Sequence, residues 1–277
     1  RTSTVLLIAA LVSVRGAGTA CDGRCGPRQI CSGGRCLCPA LLAGDQRCKQ
    51  RTALPNWCVA PVRGRMLANE GDDIRDRADF GSCAVVGSAA SLLRARRGKE
   101  IDAHTAVLRF NDAPTLGYEE FVGGKTTVRI QNRLYCAQAE HSHELCLFYS
   151  LKYDADPRDR SQKACVAMLT NGSAPCVGLL PSEPLTRYIR DYWVQNRVPG
   201  IVAREAKLSA GFFGIALALT LCGTVDIYGF DSAAEGHYYS KDKTMEKKRM
   251  RNVFRRRHAW TAERRCLNTL ESTRKNH

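Results

Sequence analysis

The sequence predicts an α/β fold with a mostly parallel sheet, preceded by a small disulfide-rich module. Three observations carry that expectation. Short apolar runs of strand length recur between residues 81 and 230, separated by stretches long enough for helices. One of those stretches, residues 214–222, is apolar all round, as a fully buried helix is. Six cysteines fall within residues 21–48 among few apolar side chains. So short a stretch cannot bury a core of its own and needs cross-links.

The chain divides into four parts. Residues 5–14 are almost wholly apolar, but a confident membrane span needs about 18 or more such residues. Two readings stand for residues 1–20. One is a signal peptide, with Gly18, Thr19 and Ala20 as its small-residue cleavage site. The other is a truncated signal anchor that ties the chain to a membrane. Either delivers the remainder to the secretory lumen. The 14 cysteines agree, because so many point to an oxidising compartment and to disulfides.

Within residues 21–48 the cysteines follow the spacing C-x3-C-x5-C-x4-C-x-C-x9-C. Spacing alone allows fifteen pairings. The pattern resembles an EGF-like module, and that resemblance implies the pairs Cys21–Cys31, Cys25–Cys36 and Cys38–Cys48. A zinc site is the competing reading; it is disfavoured because no histidine interleaves the cysteines. Residues 49–80 are polar, with Pro55 and Pro61, and read as a linker and lead-in.

The main domain is expected over residues 81–277. Residues 83–87 form a short apolar run ending in glycine, a buried strand candidate. Residues 88–97 read as a helix, and 106–110 and 126–130 as two further strands. The buried helix at 214–222 is followed by a strand at 225–230.

The charge is strongly basic, with 42 Lys+Arg against 27 Asp+Glu and a net charge of +15. Such a balance suits an anionic small molecule, a membrane or glycan surface, or nucleic acid. Nothing resembles a zinc finger, an RNA-recognition motif or a KH motif, so no nucleic-acid partner is expected. Much of the charge lies in residues 241–257.

Several short motifs fail on inspection. Gly124-Lys125-Thr126 resembles the end of a P-loop, but Glu119 stands where the first glycine is required. The turn after Val86 lacks the second and third glycines of a dinucleotide fingerprint, having Ala89 and Leu92 instead. Asp154 and Asp156 could chelate a divalent ion, but no apolar strand precedes them. His141, His143 and Glu144 could ligate zinc, and a solvated polar loop is the preferred reading. No metal and no cofactor are expected.

Four stretches in one order carry a family resemblance. Residues 81–133 run GSCAVVGSAASLLRARRGKEIDAHTAVLRFNDAPTLGYEEFVGGKTTVRIQNR. They resemble the large sialylmotif of the sialyltransferases, glycosyltransferase family 29. Within that family the nearest pattern is that of the β-galactoside α-2,6 group. Residues 208–230, LSAGFFGIALALTLCGTVDIYGF, resemble the small motif. His237-Tyr238-Tyr239-Ser240 resembles the third motif, and His258-Ala-Trp-Thr-Ala-Glu263 the very small H-x4-E motif.

The resemblance implies a Rossmann-like, GT-A-type domain and inverting, metal-independent transfer. The donor would be CMP-sialic acid, a substrate and not a cofactor. The acceptor would be a glycan, in the galactoside class, and the setting a Golgi membrane with the domain on its lumenal side. A CMP-Kdo-type transferase and a catalytically inactive lumenal binding protein are the alternatives.

By resemblance, His258 is the general base, Glu263 orients the site, and His237 and Tyr238 lie on the phosphate side. Arg255, Arg256 and Arg257 would lower the pKa of His258 if close to it. Positions five apart on a helix point about 140° from each other, so His258 and Glu263 are expected at a loop or helix start. Gly87, Ser88 and Asn111 would approach the donor, as would Ser209, Ala210 and Gly211 at the positive end of the buried helix. Cys83 and Cys222 occupy positions joined by a disulfide in the family. Asn171-Gly172-Ser173 is an N-glycosylation sequon.

Overall fold

A computed structural model of the chain describes residues 21, 25–26, 29–43, 48, 50–51, 58–60, 62, 64–132, 134–149, 160–195, 207–231, 236–240 and 258–274. Residues 1–20, Asp154 and Asp156, and the basic stretch 241–257 with Arg255, Arg256 and Arg257 lie outside them.

The centre is a six-stranded, wholly parallel sheet. Its strands are β5 (Ser82–Val86), β6 (Ala106–Phe110), β7 (Val128–Gln131), β8 (Leu145–Phe148), β9 (Val177–Leu179) and β10 (Thr224–Tyr228). The spatial order is β10-β5-β6-β7-β8-β9. Every residue of β6, β7 and β8 is buried. Layers on both faces of a parallel sheet produce such near-continuous apolar strands.

On one face lies α5 (Ala210–Leu221), in which Phe212 to Leu219 are all buried. With α4 (Glu183–Gln195) and α6 (Trp260–Arg274) it builds the main core around Phe213, Leu217, Trp193 and Cys266. The other face carries α1 (Gly98–Asp102) and α2 (Glu119–Val122), whose Ile101 and Val122 share a buried cluster with Val107 of β6. The helix α3 (Arg160–Thr170) covers the β8–β9 edge with Leu169 and Cys165.

The expected helix at 88–97 is a short 3-10 turn, Ala90–Arg94. The reason lies in its backbone, because Ala89 and Ala90 donate their N–H groups to Gly229 and Gly236 across the sheet edge. The α-helix begins only at Gly98, where an added Cβ would stand 1.8 Å from the Glu119 carbonyl oxygen. The buried charge on β6, Arg109, braces the 122–126 turn. It donates to the carbonyls of Val122 (2.7 Å), Gly123 (3.1 Å) and Lys125 (3.0 Å).

The N-terminal module has two small antiparallel hairpins, β1 (Ile30–Ser32) with β2 (Arg35–Leu37) and β3 (Leu42–Ala43) with β4 (Gln50–Arg51). Its disulfides join Cys21 to Cys31, Cys25 to Cys36 and Cys38 to Cys48. The module packs against the N-terminal ends of β5 and β10. Ala40 donates to the Cys222 carbonyl (2.6 Å) and Leu41 to that of Leu219 (2.9 Å), and Leu41 is wholly buried in the main core. The side chains of Ile30 and Leu37 close over Gly223.

The lead-in is likewise built in. Val59, Val62, Leu67, Ile74 and Phe80 belong to the main core. The polar composition that suggests a linker conceals these regularly buried side chains. Four further disulfides tie the domain: Cys83–Cys222 from β5 to the end of α5, Cys58–Cys266 from the lead-in to α6, and Cys136–Cys165 and Cys146–Cys176 around the β8–β9 edge.

Candidate active site

The strand order locates the site. From β5 the chain steps outward through β6, β7, β8 and β9, then returns to place β10 on the opposite side of β5. In open parallel sheets such a reversal leaves a crevice beyond the carboxyl ends of the strands, where ligands bind. Here the reversal sets that position past Val86 and Tyr228.

At that point Gly87 donates to the Tyr228 carbonyl (2.8 Å). A Cβ on it would stand 2.3 Å from the Gly229 carbonyl oxygen, so the two strand ends meet only because residue 87 is glycine. Ser88 follows, and its carbonyl accepts from Tyr238 N–H (2.9 Å). Ala89 bridges antiparallel to His237. The third motif is therefore hydrogen-bonded to the turn of the first. The buried Tyr238 hydroxyl donates to the Pro114 carbonyl, and burial pushes its pKa up. The half-buried His237 ring lies against Tyr239, 5.2 Å between centroids.

Asn111 ends β6 in the left-handed region, with φ of 51°. Its Oδ1 accepts from Asn132 N–H at the end of β7 (3.3 Å). Asparagine tolerates this conformation better than most residues.

Ser209 caps α5, its Oγ accepting from Phe212 N–H (3.1 Å). Ala210 and Gly211 form the first turn, where the helix presents its positive end. A Cβ on Gly211 would meet the Phe230 ring at 2.7 Å, so glycine lets the helix start close against the end of β10.

The H-x4-E stretch meets α5 at this same end. His258 stands just before α6 and Glu263 in its first turn. Glu263 is 4% exposed and accepts from Ser209 N–H (2.8 Å) and Ser209 Oγ (2.7 Å). Burial raises its pKa to about 7, against the opposing pull of the Ser209 hydrogen bonds. His258 Nδ1 lies 3.2 Å from the Lys207 carbonyl. A carbonyl only accepts, so Nδ1 carries the proton and the neutral ring has its basic lone pair on Nε2. Tyr149, at the end of β8, anchors the same segment by donating to the Leu208 carbonyl (2.6 Å), and Lys207 Nζ sits 4.4 Å above its ring.

Thus Gly87, Ser88, His237 and Tyr238 form one cluster, and Ser209, His258 and Glu263 another. Gly211 and Phe230 link them. Sequence reasoning missed Tyr149 and Lys207. Tyr149 had a signal, since it closes the apolar run 145–148; the Lys207 carbonyl had none, because a backbone group leaves no mark in composition.

The rejected motifs have other work. Gly124 and Lys125 donate their N–H groups to the Asp102 carboxylate, both at 2.9 Å. Glu144 is fully buried in an ion pair with Arg129 (2.5 Å), which removes it as a zinc ligand. Among the described residues the only trio spaced to hold a metal is Cys21, Cys25 and Cys36, whose sulfurs are in disulfides. Asn171 is exposed after α3, its Oδ1 accepting from Ser173 N–H (3.0 Å).

The model of glycosyltransferase family 29 (sialyltransferase) matches residues 62–155 and 168–275. A beta-galactoside alpha-2,6-sialyltransferase 2 from Takifugu rubripes is 35% identical over 175 residues, covering 56% of this chain and 31% of that protein. A CMP-N-acetylneuraminate-beta-galactosamide-alpha-2,3-sialyltransferase 1 from Gallus gallus is 28% identical over 193 residues, covering 63% of this chain and 52% of its own length. The chain thus spans about a third to a half of these relatives. A crystal structure of a mammalian sialyltransferase shares the fold, with a TM-score of 0.50 at 23% identity over 70% of this chain and 67% of that one.

Proposed function

The chain belongs to glycosyltransferase family 29, the sialyltransferases, and from that membership we propose that it moves sialic acid from CMP-sialic acid to a galactoside hydroxyl with inversion. The observation that carries the reading is the joining of the H-x4-E stretch to the start of α5. His258 is held on the Lys207 carbonyl and Glu263 on Ser209. A base is thereby fixed beside a helix end suited to an anionic donor.

In the proposed reaction His258 Nε2 takes the acceptor hydroxyl proton. The acceptor oxygen bonds to the anomeric carbon of sialic acid as the bond to the CMP phosphate breaks on the opposite face. The bonding pair leaves with the phosphate. The first turn of α5 and the backbone at Gly87 and Ser88 take up its charge, with His237 as a donor. Asn111 and Tyr238 shape the nucleotide side. Glu263 acts as a positioning residue, holding Ser209 and therefore the helix end.

The domain assigned to this work is 81–277, with 49–80 as its packed lead-in, 21–48 as the EGF-like module and 1–20 as signal peptide or anchor. A Golgi membrane setting, lumenal orientation and an N-glycan at Asn171 complete the proposal. Among the described residues no helix is long and apolar enough to cross a membrane.

The test is transfer from CMP-sialic acid to a galactose-terminated oligosaccharide with EDTA throughout and CMP-Kdo in parallel. Sialylated product is expected. Turnover of CMP-Kdo alone would replace the donor assignment, and CMP binding without turnover of either donor would favour the inactive binding protein.

A further inference from the structure

The loop that follows β6, residues 111–116, is held by its backbone from several directions. Asn111 N–H donates to the Ile130 carbonyl (2.9 Å) and Ala113 N–H to that of Phe110 (3.2 Å). Arg129 Nη1, on β7, donates to the carbonyls of Asn111 (3.3 Å) and Ala113 (2.9 Å). The Tyr238 hydroxyl donates to the Pro114 carbonyl. The Glu140 carboxylate accepts from the N–H groups of Thr115 (2.8 Å) and Leu116 (3.1 Å).

The charged members of this set form one network. Glu144, fully buried, takes the Arg129 fork at Nε (2.5 Å) and Nη2 (3.3 Å). It also accepts from the N–H groups of Glu140 (2.9 Å) and His141 (3.1 Å). It thereby sets both the guanidinium and the turn that presents Glu140. Arg129 Nη2 closes the circuit on Glu140 (3.1 Å). Burial opposes the charge on Glu140, but the Leu116 and Thr115 donors and Arg129 outweigh it and hold its carboxyl below the ordinary range.

A buried ion pair is weak evidence for stability, since apolar residues of the same volume often do as well. What it supplies here is geometry. Hydrogen bonds from ionised groups are short and strong, and these converge on four backbone groups of one loop. Asn111 heads that loop with φ of 51°, so the direction of its side chain follows the loop backbone. We propose that Arg129, Glu140 and Glu144 are positioning residues for donor recognition, fixing the 111–116 loop and with it Asn111 in the shape that receives CMP. The inference rests on the reading that Asn111 meets the donor nucleotide. A loop fixed in advance lowers the ordering cost of binding. The network therefore acts on donor affinity and not on the acceptor or the bond-breaking step.

Arg129→Ala would strand the buried Glu144 charge and endanger the fold. Glu140, at the outer edge with its side chain 23% exposed, is the position to test. Glu140→Gln should weaken CMP binding about tenfold, as the loss of charged hydrogen bonds to the loop predicts, read by titration calorimetry. The donor KM should rise with it, while kcat at saturating donor and the acceptor KM stay at wild-type values. A double-mutant cycle with Asn111→Ala separates positioning from general weakening. In the Asn111→Ala background Glu140→Gln should cost less than about twofold in CMP affinity. The same loss with and without the Asn111 side chain would overturn the inference, as would wild-type CMP affinity in Glu140→Gln when Asn111→Ala binds weakly. Both results leave the donor reading of Asn111 standing. Unchanged CMP affinity in Asn111→Ala, or no CMP binding by the wild-type chain, would overturn that reading and this inference together.

Discussion

Glu263 is a carboxyl group whose protonation sets how firmly two helices are joined. Its pKa in the fold is about 7 against an ordinary 4.5, because burial penalises the charge. The folded chain therefore holds this proton more tightly than the unfolded chain. The resulting stability is fully present below about pH 4.5 and is lost as pH rises through about 7. Glu263→Gln, which keeps a neutral group of the same shape, should flatten the pH dependence of the melting temperature across that window. Calorimetric melts at pH 5 and pH 7.5 would check it, and a variant still less stable at the higher pH by the wild-type margin would contradict the assignment. His258→Ala should abolish transfer and leave CMP affinity within a fewfold of wild type, as read by titration calorimetry. The residue identities at these positions were legible from the H-x4-E spacing. The tautomer of His258 was not, because it depends on a carbonyl 51 residues away in sequence.

At the scale of elements, the strands β5, β6 and β10 and the helix α5 could be read from the sequence because each is a continuous apolar run with few competing signals. The sequence reading did not resolve β8, β9, α3 and α4. The edge strand β9 has only three residues, one of them exposed, and so offers no pattern. The helix α4 does carry a stripe, since Leu185, Ile189, Tyr192 and Trp193 are buried at near-helical intervals. It was obscured by the charged residues between them. The turn after β5 makes the sharpest test at this scale. Gly87→Ala places a methyl group against the Gly229 carbonyl, and overpacking of this kind costs about 1–3 kcal/mol. Urea denaturation should show that loss. CMP affinity should fall with it, because the same turn faces the crevice.

For the molecule as a whole, the cross-links and the packed lead-in make one unit of segments distant in sequence. Cys83–Cys222 closes a loop of 139 residues, and on the chain-entropy model such a bridge contributes about 4–5 kcal/mol. The Cys83→Ala/Cys222→Ala pair should therefore unfold at markedly lower denaturant. The module is also part of the core, so Leu41→Ala should cost about 2–5 kcal/mol, measured by denaturation of the whole chain. A near-zero effect would mean that the module merely rests on the domain. None of this docking was legible beforehand, because the cysteine spacing fixes only what happens inside the module and not which surface covers Leu41.

The module grips the sheet at the ends where the strands begin, while the crevice opens where they finish. Anything joined ahead of Cys21 thus holds the protein by its base. A molecule held that way would point its mouth outward, across the full length of the strands, away from whatever is joined ahead of Cys21.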